Sequence, residues 1–517
     1  MNPSNWGSHM RLDIKLHFEF GTRLPPQALK DIPLLLEEAN NGILKKGCPK
    51  GKEEEASEVK EWSIEGANLF LRIVSGRYVR AHHAVKRIRN FLSENVGRQY
   101  KTGIRKVFID RFAIQYELER EPEKEISLPF VSKIEIRNKV ACLELQNITE
   151  DLLESGIDRL LDLLEDKIKR QSYGGKAEHW ELLWESPQRE PVWTSDPTLE
   201  MIRRGWITRY LPGIWYHSFT SAKIMRIIEQ ICLEELLEPI DFQEVIIPKV
   251  TPFNIWLRTG HMPGSAPSIF YISQPKSWDP EFWEGFSDYV KVTGEIPMEL
   301  LGEKLKEPLG GACYAQCPPL YSIFERQLLA EEDMPLKFFD RSGPSYRYEA
   351  GGLHGIERDT EFHRIELVWF GSKEQALQIK DQVMEKYRHI FNEVMELEWR
   401  TAWVTPWYMA QTGEKGIEEA REKGTIDFEG WLPWRGTRKE SEWLEFQNLT
   451  VAGTKFSEAF KFKIKPGKEI WTGCSGIGLE RWMSVFLSQK GLDPKNWPKP
   501  FRDRLGSLPR EPKTLKL

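Results

Sequence analysis

The sequence predicts an α/β (α+β) protein of two domains, and three observations support this fold class. The chain has 517 residues with 40% apolar content, which is ample for two domains and a large core. Short runs that alternate apolar and polar residues, as strands do, are interspersed with runs of helical periodicity. A break at Gln171–Gly175 and a polar, Trp-rich connector then separate two such regions.

The first domain is expected to span residues 10–170. Leu12–Phe20 alternates apolar and polar residues and predicts a half-buried strand. The same pattern predicts strands at Leu69–Val74, Phe112–Leu118 and Val140–Leu145. Apolar residues at helical spacing predict helices over Pro25–Asn40, Tyr78–Val96 and Thr149–Arg170.

The second domain is expected over residues 197–517, after a linker at 171–196. Its strands, helices and Gly/Pro loops fit a largely antiparallel sheet with flanking helices. Residues 1–9 are expected to be a foreign or optional leader, because Gly7–Met10 is typical of a cloning scar. No apolar run of membrane-spanning length and no secretory leader is present, and six cysteines are too few for a disulfide framework. These features predict a cytoplasmic protein without membrane contact.

A basic segment stands out in a chain whose net charge is −5. On the helix Tyr78–Val96 the apolar residues share one stripe, so the basic residues project to the opposite side. Such an array suits RNA phosphates, because each neutralised charge releases counterions. A solvated charged face would show the same pattern, and both interpretations stay open from the residues alone. The candidate RNA contacts are Arg80, Lys86, Arg87, Arg89, Arg98 and Lys101.

Two segments in the second domain predict a nucleotide site. Ser345–Glu349 and Phe362–Glu366 predict two strands joined by a Gly-rich turn. Because side chains alternate along a strand, Arg347 and Glu349 share one face. With Phe362 on the same side of the sheet, a phosphate, a base edge and a purine face could all be bound. Gly473–Arg481 supplies another arginine after a Gly-rich stretch, although an Arg–Glu pair on a sheet is often purely structural.

These segments resemble the motifs of a known family. Tyr346–Glu349 with Phe362 is similar to motif 2 of class II aminoacyl-tRNA synthetases, and Gly476–Arg481 is similar to motif 3. Phe242–Pro248 resembles motif 1, whose proline lies at the dimer interface in that family.

Three more segments narrow the resemblance to the zinc-dependent seryl-tRNA synthetases of methanogenic archaea. They are Cys313–Pro319, His354–Arg358 and Trp443–Asn448, and the similarity runs from about Leu12 to the C-terminus. The resemblance implies a class II antiparallel catalytic domain and an N-terminal tRNA-binding domain. It also implies that serine is activated with ATP to seryl-adenylate and transferred to the 3′ end of tRNA(Ser).

The resemblance assigns roles in ATP binding to five residues. Arg347 would hold the α-phosphate and Arg481 the γ-phosphate, while Phe362 would stack under adenine. Glu349 would bind the adenine amino group or orient the acceptor end. Arg358 would meet the outer phosphates. Arg347, Glu349 and Arg481 are therefore the expected catalytic residues.

A metal site is also implied. Cys313 and Cys317 are four residues apart with no second pair, which argues against a closed four-sulfur zinc site, and alone they would be interpreted as buried thiols. The resemblance implies instead one zinc per subunit, held by Cys317, Glu366 and Cys474 with one open position for serine. Cys313 is then a structural thiol.

The remaining implied contacts concern magnesium, serine and partners. Glu445 is the expected ligand of the magnesium that accompanies ATP. Serine would meet Glu366, Asn448, Trp407 and Gln411, the last two in a loop that orders over it. The N-terminal domain would bind the long variable arm of tRNA(Ser), and the protein would be a homodimer; charging of tRNA(Sec) is left open.

Two alternatives are retained. A ligase that charges a carrier protein would use the same catalytic core but lack the basic N-terminal domain. A non-catalytic RNA-binding paralogue would have lost its phosphate-binding arginines or metal ligands, all of which are present here.

Overall fold

A computed structural model gives the fold, and the chain divides into two compact units, Met1–Ala177 and Glu178–Leu517. The structure describes residues 10–118, 121–122, 125–171, 179–348, 352–405, 422–439, 441, 443–464 and 468–512. Among the described helices, none combines the length and apolar content needed to cross a bilayer.

The first unit is an antiparallel six-stranded sheet covered by helices on one face. Its strands are β1 (Met10–Phe20), β2 (Ser57–Glu65), β3 (Asn68–Ser75), β4 (Ile104–Glu117), β5 (Val131–Arg137) and β6 (Val140–Leu145), in the order β2-β3-β1-β4-β6-β5. Its helices are α1 (Pro26–Asn41), α2 (Ala81–Leu92), α3 (Arg98–Tyr100), α4 (Glu150–Ser155) and α5 (Ile157–Gln171). The predicted strands and helices are present, whereas β2 and β5 were not predicted. Both are edge strands, where charged residues interrupt the apolar alternation.

The predicted helix over Thr149–Arg170 is two helices. Helix α4 ends at Ser155 and α5 begins at Ile157. A Cβ at Gly156 would lie 2.8 Å from the carbonyl oxygen of Leu152, so the chain bends where only glycine fits. The apolar stripe of α5 is still continuous with that of α4, which is why periodicity alone gave one helix.

The second unit is built on a nine-stranded sheet, antiparallel except for one parallel pair. Its order is β10-β14-β16-β20-β19-β18-β17-β7, and β15 pairs with β16. The members are β7 (His179–Glu185), β10 (Gln243–Glu244), β14 (Leu336–Asp340), β15 (Pro344–Tyr346), β16 (Glu361–Gly371), β17 (Trp399–Thr405), β18 (Gly424–Gly430), β19 (Leu444–Gly453) and β20 (Trp471–Gly478). Strand β7 lies within the segment predicted to be a linker.

Helices and short strands complete this unit. The helices are α6 (Pro197–Arg203), α7 (Phe219–Ile231), α8 (Phe253–Arg258), α9 (Met262–Ser265), α10 (Pro280–Thr293), α11 (Met298–Lys304), α12 (Cys317–Ser322), α13 (Lys373–His389), α14 (Lys455–Phe460), α15 (Leu479–Lys490) and α16 (Lys499–Leu505). The short strands are β8 (Ile207–Leu211), β9 (Ile214–His217), β11 (Val250–Pro252), β12 (Tyr271–Ile272) and β13 (Gly310–Ala312). The main core packs α7, α13 and α15 against the large sheet, which fixes the strands that carry the site.

Candidate active site

The centre of the site is strand β16, which pairs with β15 on one edge and with β20 on the other. Ser345 pairs with Phe362, as the predicted strand–turn–strand requires. On the other edge Glu366 faces Gly476 and Val368 faces Cys474. The tertiary fold therefore brings motif 2 and motif 3 side by side.

A cleft opens over this pair of strands. Five of the residues predicted from the sequence line it: Arg347, Phe362, Glu445, Asn448 and Arg481. The guanidinium carbon of Arg347 lies 5.9 Å from the centroid of the Phe362 ring, and that of Arg364 lies 5.6 Å from it. An aromatic ring flanked by two cations suits a purine that carries phosphates.

Arg481 is held at the start of α15 by two backbone carbonyls. Its Nε donates to the carbonyl oxygen of Glu357 at 3.2 Å, and its Nη1 donates to that of Glu445 at 2.8 Å. The same Nη1 is 3.4 Å from the Glu445 carboxylate. The Arg481 cation and the Glu445 carboxylate therefore lie side by side, and a phosphate group with its magnesium ion would need both.

Next to the cleft lie the three predicted zinc ligands. The ligand atoms of Cys317, Glu366 and Cys474 are all within 4.8 Å of one another. Glu366 and Cys474 are buried, and the Glu366 Oε2 atom has no hydrogen-bond partner among the described residues. Two thiols and an unsatisfied carboxylate oxygen are the donors that zinc prefers in a tetrahedron, so the residues fit the metal.

The electrostatics of this group would favour a bound cation. Burial raises the pKa of Glu366. A hydrogen bond to Cys474, with burial, raises the pKa of Cys317 well above its usual value. Glycine at position 476 leaves room for the Glu366 carboxylate, since a Cβ there would lie 2.8 Å from Glu366 Oε2. Arg364 joins the two parts of the site, because it lines the cleft and its Nε is 3.4 Å from Glu366 Oε2.

Four predicted site residues are not placed in the cleft. Arg358 lies in the turn before β16 and is not among the lining residues of the cleft. Glu349, Trp407 and Gln411 lie outside the described residues.

Several polar residues with no role predicted from the sequence also lie here. Asp359, Arg364, Gln447 and Glu480 all line the cleft. Glu480 accepts hydrogen bonds from the backbone N–H and the Nδ1 of His363, at 2.8 and 2.6 Å, and this bond raises the pKa of His363. Arg364 and Glu480 could have been predicted as site residues. Arg364 lies between Phe362 and Glu366 on the same strand, and Glu480 directly precedes Arg481.

Gln447 supports the strand that carries Cys474. Its Nε2 donates to Tyr387 Oη at 2.8 Å and to Ser475 Oγ at 2.5 Å, and its Oε1 accepts from Trp482 Nε1 at 3.2 Å. A buried amide satisfied on both ends fixes the spacing of β19 and β20. No local pattern in the sequence distinguishes this glutamine.

The basic helix of the first unit differs from the prediction. Ala81, Val85, Ile88 and Leu92 are buried, as expected. The opposite side of α2, however, faces the acidic helices α4 and α5. Basic residues of α2 pair there with Glu150 and Glu154: Arg89 contacts Glu150, and Lys86 Nζ lies 3.1 Å from Glu154. Arg80, directly before α2, contacts Asp158.

The prediction that Arg80 projects to solvent is wrong, because its side chain is buried beside Asp158. His82 and His83 also approach Asp158, at 3.2 and 3.8 Å. The Arg80 guanidinium already offsets the negative charge of Asp158. This disfavours a metal ion between His82, His83 and Asp158. Arg87 donates to the carbonyls of Ile43 and Lys46 at 2.7 Å. Arg98 and Lys101 are exposed, and the six candidate RNA contacts stay predictions.

Comparisons with known proteins agree with this architecture. Residues 10–166 match a family of tRNA-binding domains, and residues 315–490 match the tRNA synthetase class II core domain (G, H, P, S and T). The predicted fold class is thereby confirmed. The first match also argues against the carrier-protein alternative, which predicted no tRNA-binding domain.

Full-length relatives give the activity. The type-2 serine–tRNA ligase of Methanococcoides burtonii is 46% identical over 97% of this chain and 99% of its own, and that of Methanothrix thermoacetophila is 47% identical over 96% and 99%. A crystal structure of M. kandleri SerRS in complex with A. aeolicus tRNASec superimposes with a TM-score of 0.81 at 28% identity, covering 98% of this chain and 99% of that one. The chain belongs to the family of type-2 serine–tRNA ligases.

Proposed function

We propose that the cleft over β16 and β20 is where this serine–tRNA ligase activates serine, with ATP at one end and the serine amino group at the other. The observation that supports the proposal is the single face of β16. Phe362, Arg364 and Glu366 are every second residue of the strand, so their side chains lie on the same face. They form a row from the aromatic ring in the cleft to the group of Cys317, Glu366 and Cys474.

The first step joins the serine carboxylate to the α-phosphorus of ATP, and pyrophosphate leaves. Arg347 is proposed to hold the α-phosphate and Arg481 the γ-phosphate, while Phe362 stacks on adenine. No side-chain nucleophile is needed, because phosphoryl transfer depends on positioning and charge neutralisation. Glu445, whose carboxylate is partly exposed in the cleft, would hold magnesium.

In the second step the terminal ribose hydroxyl of tRNA attacks the serine carbonyl carbon, and AMP leaves. Cys317, Glu366 and Cys474 would hold zinc. When bound, the ion supplies an open coordination position for the amino group of serine. Asn448 Oδ1 accepts from the Gly476 N–H at 3.2 Å, which holds its side chain between β19 and β20, and we propose that it contacts serine there. Glu349, Arg358, Trp407 and Gln411 keep the roles that the family resemblance implies.

The test is ATP–pyrophosphate exchange measured with each of the twenty amino acids, with zinc content determined on the same sample. We expect exchange with serine alone and about one zinc per chain. Exchange with another amino acid, or with none, would contradict the proposed assignment of the cleft.

We further propose that the first unit binds tRNA(Ser) through its long variable arm, and tRNA(Sec) as well, since the solved relative holds tRNASec. The protein is proposed to act in the cytoplasm as a homodimer, with Phe242–Pro248 at the interface. Phe242 is buried in the core while Ile246 is exposed, so this segment presents an apolar side chain to a partner.

The RNA contacts can be tested by comparing two sets of basic residues. Replacing Arg98 and Lys101 with Ala should weaken tRNA binding by about tenfold. The slope of log affinity against log salt should fall by roughly 0.7 to 0.9 for each lost phosphate contact. Lys86→Ala provides the comparison, because this candidate contact already pairs with Glu154, and we expect a smaller loss from it. A larger loss in Lys86→Ala than in the double variant would move the interface to α2.

A further inference from the structure

The turn that precedes β16 is attached to the rest of the unit through the side chain of Glu357. This side chain is only 1% exposed. Its Oε1 accepts a hydrogen bond from Arg435 Nη2 at 2.9 Å and is 2.5 Å from His354 Nδ1. A buried carboxylate with two charge-assisted partners resists displacement far more than an exposed ion pair does.

The partners of Glu357 are themselves fixed. The His354 ring stacks on Trp434 with centroids 5.1 Å apart and planes at 19°. The Arg435 guanidinium lies 4.7 Å from the centroid of the same tryptophan ring. Trp434 Nε1 donates to Ser488 Oγ on α15 at 3.2 Å. The turn is thus connected, through Pro433–Arg435, to α15, which carries Arg481 in its first turn.

The backbone of the turn is shaped around this carboxylate. Gly355 has φ +54°, and a Cβ there would lie 2.3 Å from Glu357 Oε2, so a larger residue would displace the carboxylate. The carbonyl of Gly355 accepts from Trp215 Nε1 at 2.8 Å. These contacts hold the turn in a single position relative to the sheet.

The consequence for the site comes from the backbone of Glu357. Its carbonyl oxygen is the acceptor for Arg481 Nε, and Asp359, two residues further, lines the cleft. A shift of the turn would therefore move the acceptor that aims the Arg481 guanidinium. Misplacement of a catalytic group by about 1 Å costs on the order of a hundredfold in rate.

We propose that Glu357 is a positioning residue for adenylate formation: its buried pair with Arg435 holds the turn so that its carbonyl orients Arg481 toward the outer phosphates of ATP. The inference rests on the proposed function of the cleft. It adds a residue that touches neither substrate and to which the resemblance assigned no role, and it makes Pro433–Arg435 a part of the ATP site.

The test is Glu357→Gln, which keeps the shape and the backbone carbonyl but removes the charge. We expect the KM for ATP to rise and kcat for exchange to fall, so that kcat/KM for ATP falls by about tenfold. The KM for serine and the zinc content should not change. Arg435→Met should have the same effect, the double variant should be no worse than either single variant, and Arg435→Lys should recover part of the loss.

The matched control is Glu398→Gln, which breaks a comparably buried pair. Glu398 Oε2 lies 2.6 Å from Arg438 Nη1, and neither residue lines the cleft. We expect this variant to lower the melting temperature as much as Glu357→Gln does but to leave the KM for ATP unchanged.

Two outcomes would overturn the inference: wild-type kinetics in Glu357→Gln, or equal losses toward ATP and serine that follow the melting temperature. Failure of the underlying function would look different, because the wild-type protein itself would then show no serine-dependent exchange.

Discussion

Cys474→Ser should lose both bound zinc and serine-dependent ATP–pyrophosphate exchange, the latter by about a thousandfold. Cys474 is buried, and its Sγ lies within 4.8 Å of ligand atoms of Cys317 and Glu366. A serine hydroxyl is a poor zinc ligand near neutral pH, so only two good donors would remain. Zinc would be measured by elemental analysis and exchange on the same preparation.

Cys313→Ser is the control for this experiment. Cys313 is also buried and only four residues from Cys317, but it is not in the three-residue group; its Sγ lies 3.4 Å from the carbonyl oxygen of Ala315. We expect this variant to keep its zinc and its exchange activity. Full activity of a zinc-free Cys474→Ser preparation would refute the metal assignment, and zinc retained in it would refute the ligand assignment.

Arg481→Ala and Arg347→Ala should each lower adenylate formation by about a hundredfold or more, the cost of losing one preorganised group that stabilises charge in the transition state. Arg481 is aimed by two carbonyls, and Arg347 lies beside the Phe362 ring. Arg481→Lys should recover little, because an ammonium cannot make the same forked contacts. Single-turnover formation of seryl-adenylate would be measured.

The control is Arg502→Ala, which removes an exposed arginine of α16. We expect wild-type rates from it. Unchanged exchange in both Arg481→Ala and Arg347→Ala would show that ATP binds somewhere other than this cleft.

Much of the fold could be predicted because its signals are local. Alternation over Leu12–Phe20 gave β1, and helical spacing gave the buried stripe of α2. The same rules put Phe362 and Glu366 on one face of β16. The edge strands β2 and β5 were missed, since a strand with a single neighbour need not alternate regularly.

The charged residues show where local signals stop. Arg80 lies in a basic segment of the kind that contacts RNA. Its guanidinium, however, pairs with Asp158, seventy-eight residues away, which offsets its charge. Glu357 and Arg435 are also seventy-eight residues apart, and nothing near either one indicates a pair. Whether a charge meets solvent, RNA or an opposite charge depends on which helix packs over it.

The sequence by itself determined the family motifs, because these depend on residue types at fixed short spacings, and the resemblance carried by the motifs implied the three zinc donors. Only the tertiary structure decided that Cys317, Glu366 and Cys474 come together, that the basic face of α2 is largely paired, and that Glu357 aims Arg481. Each of these is a contact between distant segments. Such contacts are set by the packing of whole elements, which no single stretch of sequence encodes.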